Sequence, residues 1–276
     1  MPSILSDVRL ADHREAFSSA EPFPHVVIDG FLDASAGRAI AAEYPTFENA
    51  KALGFSFNAV NERKKIQITD KTRFPPAVRQ LNDFLASDAF LADLSALTGI
   101  PNLIADEALS GGGMHMTGPH GRLDVHVDFN RGEHDLYRRL NLLLYLNPEW
   151  DEGWGGQIEL WDRAVKDCRV SLPPVLGRCL IFETSQASFH GVAPLKCPPD
   201  RVRRSFATYY YTKEPPAHGD TAMHSTIFRA RPDEKLRGYV LMPAERITRG
   251  TIDGIRGGAA WARRLAGRVL RVIGLR

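Results

Sequence analysis

The stretch DVHVDFN, residues 124–130, places an imidazole and a carboxylate two positions apart. It alternates as a β-strand does, and in a strand successive side chains point to opposite faces. His126 and Asp128 therefore share a face. Burying such a pair without a partner is costly, so the spacing asks for something to sit between them. A third group, His190, lies in SFHGV, just after the β-rich run RCLIFET. Two imidazoles and one carboxylate, with the other positions left to water, form a facial triad suited to non-haem Fe(II). Ligands at i and i+2 come from one strand, and the third must come from a distant strand of the same barrel. Against this stands chance: HxD is short, and with 9 histidines a later one is nearly guaranteed.

A second group lies downstream. In RRSFATYYYT, residues 203–212, Arg204, Phe206, Thr208 and Tyr210 share one strand face. An inward-facing Arg is expensive unless an anion is dedicated to it, and its planar fork matches a carboxylate. LNLLLYLN, residues 140–147, offers Asn141, Leu143 and Tyr145 on one face. A phenol converging with a guanidinium holds a carboxylate, while Leu143 packs its methylenes. An open Fe(II) site beside such a pocket describes a seat for 2-oxoglutarate. The competing reading makes Arg204 a surface residue of an edge strand.

These residues need a frame. FPHVVIDGFL (23–32) reads as a short strand, and DASAGRAIAAEYP (33–45) as a helix with an Asp or Ser cap and a Pro stop. Residues 75–99 carry Val78, Leu81, Phe84, Leu85, Phe90, Leu91, Leu94 and Leu97 at helical spacing, which predicts two helices broken near Ser87-Asp88. From about residue 103, runs of β-formers alternate with Gly, Pro and Asn: LIADEALSGG, DVHVDFN, LNLLLYLN, QIELWD, RVSLPP, RCLIFET and SFATYYYT. That texture predicts a sandwich, barrel or jelly roll.

With those pieces in view, residues 111–212 resemble the catalytic core of the Fe(II)- and 2-oxoglutarate-dependent oxygenases, and most of all the prolyl 4-hydroxylase-like branch. HVD (126–128), LLYLNPEWDEGWGGQIELW (143–161), FHGV (189–192) and RRSFATYYYT carry the resemblance, in the order shown by the hypoxia-sensing prolyl hydroxylases. It implies an α+β, mainly β fold: a double-stranded β-helix (jelly roll) flanked by N-terminal helices and a basic C-terminal helix. It implies His126, Asp128 and His190 as iron ligands and Arg204 with Tyr145 on the distal carboxylate of 2-oxoglutarate. Thr208 and Tyr210 would line the pocket beside them, and Asn141 would hydrogen-bond the cosubstrate or a water. It also implies O2 as co-reactant, ascorbate as an accessory reductant, and hydroxylation of an unactivated C–H with release of succinate and CO2. The substrate would be a prolyl residue or a small molecule.

One departure stands out. The cosubstrate's basic residue usually follows the last His by about ten positions. Arg204 follows it by fourteen (204 − 190), and Arg201 by eleven (201 − 190). Arg204 is preferred because SFATYYYT continues the family pattern. Lys196, Arg201 and Arg203 would then be surface charges on a Pro-rich bulged loop. Other residues carry less. SGGGMHMTG (110–118) is a Gly-rich turn, not a phosphate loop, since no GK[ST] follows. His115 or Met116 could touch the cosubstrate, and Arg138 or Arg139 the substrate. His120 and His134 are not read as ligands, and Trp150, Trp154 and Trp161 are read as core or rim.

Bulk properties narrow the classes. The net charge of +2 does not describe a polyanion binder, so no nucleic-acid partner is expected. Three cysteines without CxxC spacing exclude a disulfide framework and a cysteine zinc site and suit a reducing compartment. The acid- and base-rich start is not a signal peptide, and no apolar run approaches the length of a membrane span. A cytoplasmic protein is expected, with one oxygenase domain over 1–252: helical to 100, jelly roll over about 101–214, extension to 252. Residues 253–276 read as a basic amphipathic helix for a membrane surface, an acidic partner or a second subunit. Two rival functions remain: a cupin-like metalloprotein that does not use 2-oxoglutarate, and a peripheral membrane or scaffold protein acting through that helix.

Overall fold

The computed structural model describes residues 5–217 and 221–234. One compact unit spans residues 1–231. Residues 232–276 separate as a second, of which only 232–234 are described. The basic C-terminal helix and its membrane or partner role thus fall outside the described residues. Among the described residues no helix is long and apolar enough to cross a membrane.

Among the described residues five α-helices form, three of them on side-chain caps. They are α1 (Arg14–Ser19), α2 (Ala34–Ala42), α3 (Phe47–Leu53), α4 (Pro76–Leu85) and α5 (Asp88–Thr98). The Asp33 carboxylate accepts the N–H groups of Ser35 and Ala36 and starts α2. The break between α4 and α5 falls at Ser87, whose hydroxyl accepts the Phe90 N–H. Gly99, at φ +74°, ends α5 in the left-handed conformation a Cβ disfavours.

Among the described residues twelve strands form, those between 104 and 212 within the expected β-rich texture: β1 (His25–Ile28), β2 (Phe55–Asn58), β3 (Glu62–Ile68), β4 (Ile104–Ala105), β5 (Gly113–Val127), β6 (Tyr137–Tyr145), β7 (Ile158–Trp161), β8 (Cys168–Leu172), β9 (Cys179–Glu183), β10 (His190–Val192), β11 (Arg203–Thr212) and β12 (Ile227–Arg229). All pairings are antiparallel, in the order β1-β9-β6-β11-β5-β10-β7-β8. The strands β3 and β12 also pair with β5, and β4 with β11. This curled sheet is the expected jelly roll. Its keystone is β5. The first half of β5 pairs with β11 and β3, the second with β10 and β12. Between them the chain makes an excursion at residues 118–121. Pairing with β3 resumes there in a shifted register, with Lys65 opposite Thr117 but Arg63 opposite Arg122. Gly113 opens β5 at φ +86°, where a Cβ would lie 2.2 Å from the Ile68 carbonyl oxygen, so only glycine admits β3 this close.

The N-terminal hundred residues are less helical than their apolar spacing predicts. The hairpin β2–β3 has no counterpart among the sequence-based elements, because Arg63, Lys64 and Lys65 interrupt its alternation and Lys64 sits at φ +49°. The main core lies between the helices and one face of the sheet, where Leu81, Phe90 and Leu94 meet Leu142, Leu144, Phe206 and Tyr210. The other face builds a second apolar layer from Tyr145, Leu160, Leu180 and Phe182.

Phe90 is 1% exposed and its ring meets Phe31, Phe84 and Tyr210. Phe90→Ala should lower the unfolding free energy by about 3–5 kcal/mol, read by urea denaturation.

Candidate metal and carboxylate site

The register of two strands brings the triad together. His190 on β10 lies directly opposite His126 on β5, their ring centroids 4.3 Å apart, and Asp128 follows one residue beyond the end of β5. The three donors lie within 4.8 Å of one another, and all three residues are buried. Asp128 Oδ1 is 3.5 Å from His126 Nε2, and Oδ2 is 3.4 Å from His190 Nε2. Each histidine repeats one local device. Its Nδ1 lies 2.9 Å from the carbonyl oxygen two residues upstream, Asp124 for His126 and Ser188 for His190. With Nδ1–H donated to the backbone, Nε2 is left as the lone-pair donor facing Asp128. This is a ligand set with its tautomers fixed, and it suits a divalent transition metal. Burial, then the neighbouring His126, lowers the pKa of His190 to about 4, so its ring is neutral at neutral pH.

Two side chains of β6 hold the carboxylate. Asn141 Nδ2 donates to Asp128 Oδ2 at 2.7 Å, and Arg138 Nη2 donates to the same oxygen at 3.1 Å. Arg138 also donates to Asn141 Oδ1 from Nε and Nη2, at 3.0 and 2.8 Å. Its guanidinium is stacked 3.4 Å from the Tyr209 ring centroid and 4.6 Å from that of Phe129. Burial alone would push the Asp128 pKa up. The Arg138 charge is the largest influence against it, and the carboxyl is held well below its usual range.

The same cavity, about 450 Å³, continues from the triad to a second polar end. There Arg203, only 5% exposed, donates from Nε to the Gly156 carbonyl at 2.8 Å and from Nη1 to Ser205 Oγ at 3.4 Å. Its guanidinium lies 5.0 Å from the Tyr145 ring centroid, and it makes no ion pair among the described residues. Tyr145 is fully buried with no hydrogen-bond partner for its hydroxyl, and burial pushes its pKa up to about 12. His115 and Thr117 face the cavity from β5 beside Ser205 and Arg203, their register partners on β11. A buried cation that has no counter-charge among the described residues, beside a buried phenol, is suited to receive an anion.

Several expectations need correction. The guanidinium of Arg204 does not reach the cavity. It donates to the Ala41 carbonyl of α2 at 3.3 Å, on the helix side of the sheet. Thr208 lies opposite Leu142 and faces that side too. Tyr210 donates its hydroxyl to the Leu85 carbonyl at 3.0 Å and packs against Phe90. The odd residues of β11 face the cavity and the even ones the helices, so Arg203 takes the place expected for Arg204 and is not a surface charge. Arg201 is on the surface, paired with Glu149 and Asp200. Asn141, expected to hydrogen-bond the cosubstrate or a water, lines the cavity and donates to Asp128 instead. Met116 is core and His115 lines the cavity. Beyond Arg203, the sequence alone did not single out Phe57, Lys65 and Gln67 of the hairpin, nor Phe228 of β12, all of which line the cavity.

Residues 112–211 match the family profile of the 2OG-Fe(II) oxygenase superfamily. The chain is 28% identical over 206 residues, 72% of its length, to Prolyl 3-hydroxylase OGFOD1 of Mus musculus, and spans 34% of that protein, about a third. Two solved structures share its fold. One is a Pseudomonas putida prolyl-4-hydroxylase, with TM-score 0.51 and 20% identity over 75% of this chain and 100% of that one. The other is a prolyl hydroxylase in complex with a hypoxia inducible factor oxygen degradation domain peptide fragment from Trichoplax adhaerens, with TM-score 0.53 and 18% identity over 74% and 88%.

His115 carries a pH signature. Burial first, then the Lys65 and Arg203 charges, hold its pKa well below 6.5. The unfolded chain binds a proton below about pH 6.5 that the folded chain refuses, so stability is full above that pH and falls as pH drops through it. Between about pH 7.5 and about pH 5.5, urea unfolding should show wild type losing about 1 kcal/mol more than His115→Gln.

Proposed function

We propose, from the premise that residues 112–211 belong to the 2OG-Fe(II) oxygenase superfamily in its prolyl 4-hydroxylase-like branch, that this chain hydroxylates an unactivated C–H of a prolyl residue or a small molecule. The observation that carries the reading is Arg203: a buried guanidinium with no counter-anion among the described residues, in the same cavity as a His-Asp-His triad. A metal-only cupin-like site has no use for such an anion seat.

In this reading His126, Asp128 and His190 hold Fe(II), and Arg203 with Tyr145 binds the distal carboxylate of 2-oxoglutarate. Ser205, Thr117 and neutral His115 complete the polar wall, and Leu143 packs the methylenes. Iron with O2 supplies oxidative decarboxylation of 2-oxoglutarate to succinate and CO2, coupled to insertion of one oxygen atom into the substrate C–H. The protein contributes orientation. The Asp124 and Ser188 carbonyls fix the imidazole tautomers, and Asn141 with Arg138 fixes the carboxylate rotamer. Phe57, Phe129 and Tyr209 add aromatic wall to the same cavity.

The test is succinate formation with Fe(II), ascorbate and 2-oxoglutarate against proline-containing peptides, free amino acids, sugars and lipids. The anaerobic Fe(II) protein should also develop a weak visible charge-transfer band on adding 2-oxoglutarate, and no band would sink the reading. Arg203→Gln should raise the 2-oxoglutarate requirement by about a hundredfold, the scale of one desolvated charge-assisted contact. Arg204→Gln should change it by less than about threefold, since that side chain lies on the other face. His126→Ala or Asp128→Ala should abolish both the band and turnover.

A further inference from the structure

The ligand end of β5 has two edges. On one, β10 supplies His190. On the other lies β12, beyond the stretch that matches the oxygenase family: Ile227 pairs with Val127, Phe228 with His126 and Arg229 with Val125. Phe228 thus stands on the other side of His126 from His190. Its ring centroid is 5.3 Å from that of His126, the planes tilted by 33°, and it lines the cavity together with Thr226.

The segment bearing it is fastened at both ends. Upstream, Asn130 clasps it like a further rung of the ladder. Its Nδ2 donates to the Ala222 carbonyl at 2.8 Å, its Oδ1 accepts the His224 N–H at 2.9 Å, and its own N–H donates to the His224 carbonyl at 3.4 Å. Arg131 adds a bond to the Thr221 carbonyl at 3.3 Å. Downstream, the buried Arg231 donates to Glu159 of β7 at 2.8 Å, to the Val192 carbonyl of β10 at 3.1 Å and to the Leu123 carbonyl of β5 at 3.3 Å. Arg231 therefore ties the segment to both strands that carry the histidines.

We propose that residues 221–231 are a strap that completes the metal centre, and that Phe228 is a positioning residue that holds the His126 imidazole in its ligating orientation. The inference rests on the metal reading given above. The Asp124 carbonyl fixes one ring nitrogen of His126, and a single hydrogen bond leaves the ring free to tilt about it. His190 on one side and Phe228 on the other remove that freedom.

Co(II) alone serves as the probe, titrated into the full-length protein by its absorption, with and without 2-oxoglutarate. Phe228→Ala should weaken Co(II) binding by about tenfold, roughly 1.4 kcal/mol, and alter the Co(II) spectrum, with Phe228→Leu in between. Asn130→Ala, which loosens one end of the strap, should move affinity the same way by less. The metal-free melting temperature separates a positioning role from a folding defect: Phe228→Leu should keep it while shifting the Co(II) spectrum. If Phe228→Ala does not fold, Phe228→Leu decides. Wild-type Co(II) affinity and spectrum in the folded Phe228 variants would overturn the proposal and leave the metal reading standing. A wild-type protein that takes no Co(II) overturns both. One that takes Co(II) without a response to 2-oxoglutarate sinks only the oxygenase reading.

Discussion

A carboxylate buried between two imidazoles is the constraint on which this structure turns. Removed from water, Asp128 would favour its neutral form unless positive charge and hydrogen-bond donors converge on it. The chain meets that demand from β6, where Arg138 and Asn141 donate to the carboxylate, while His126 on β5 and His190 on β10 set their Nε2 atoms against it. Their positions require β6 and β10, which are not neighbours in the sheet, to close over the end of β5. The curl of the sheet and the electrostatics of the triad are thus one requirement. Arg138 is drawn inward by the same need, and Tyr209 and Phe129 provide the apolar faces that let a guanidinium remain there.

Much of this is readable from residue types. The triad is visible because i and i+2 in a strand share a face whatever the surroundings. The α4–α5 break is visible because the Ser87 cap acts locally. The cosubstrate end is harder, since its faces depend on long-range register. Tyr145 lies opposite Ser205, and directly opposed residues of an antiparallel pair point the same way, so Tyr145 selects Arg203 and excludes Arg204. A signal was present in β5. His115 and Thr117 are polar while Met114 and Met116 are apolar, and that alternation aligns Arg203, not Arg204, with the polar face.

Two irregularities hide the remainder. The 118–121 excursion lets the even residue His126 join the triad in one half of β5 and odd residues face the cavity in the other. The register shift in β6 opposite Tyr210 and Tyr211 turns Arg138 to the same side as Asn141, three residues away. No strict period of two crosses either point. The hairpin β2–β3 and the strap are obscure for another reason: they are held by pairing to β5 rather than by an apolar pattern of their own.

The excursion in β5 has a consequence for how the molecule can vary in length. Strand β3 spans it, pairing with Thr117 before the excursion and with Arg122 and Leu123 after it, and so holds the two halves of β5 at a set spacing whatever the length of chain between them. Residues added or removed at 118–121 change the size of the excursion and leave both registers intact, whereas one residue added within either half turns that half of the cavity outward. Length can therefore vary at this one point of the strand while the two polar ends of the cavity keep their distance from each other.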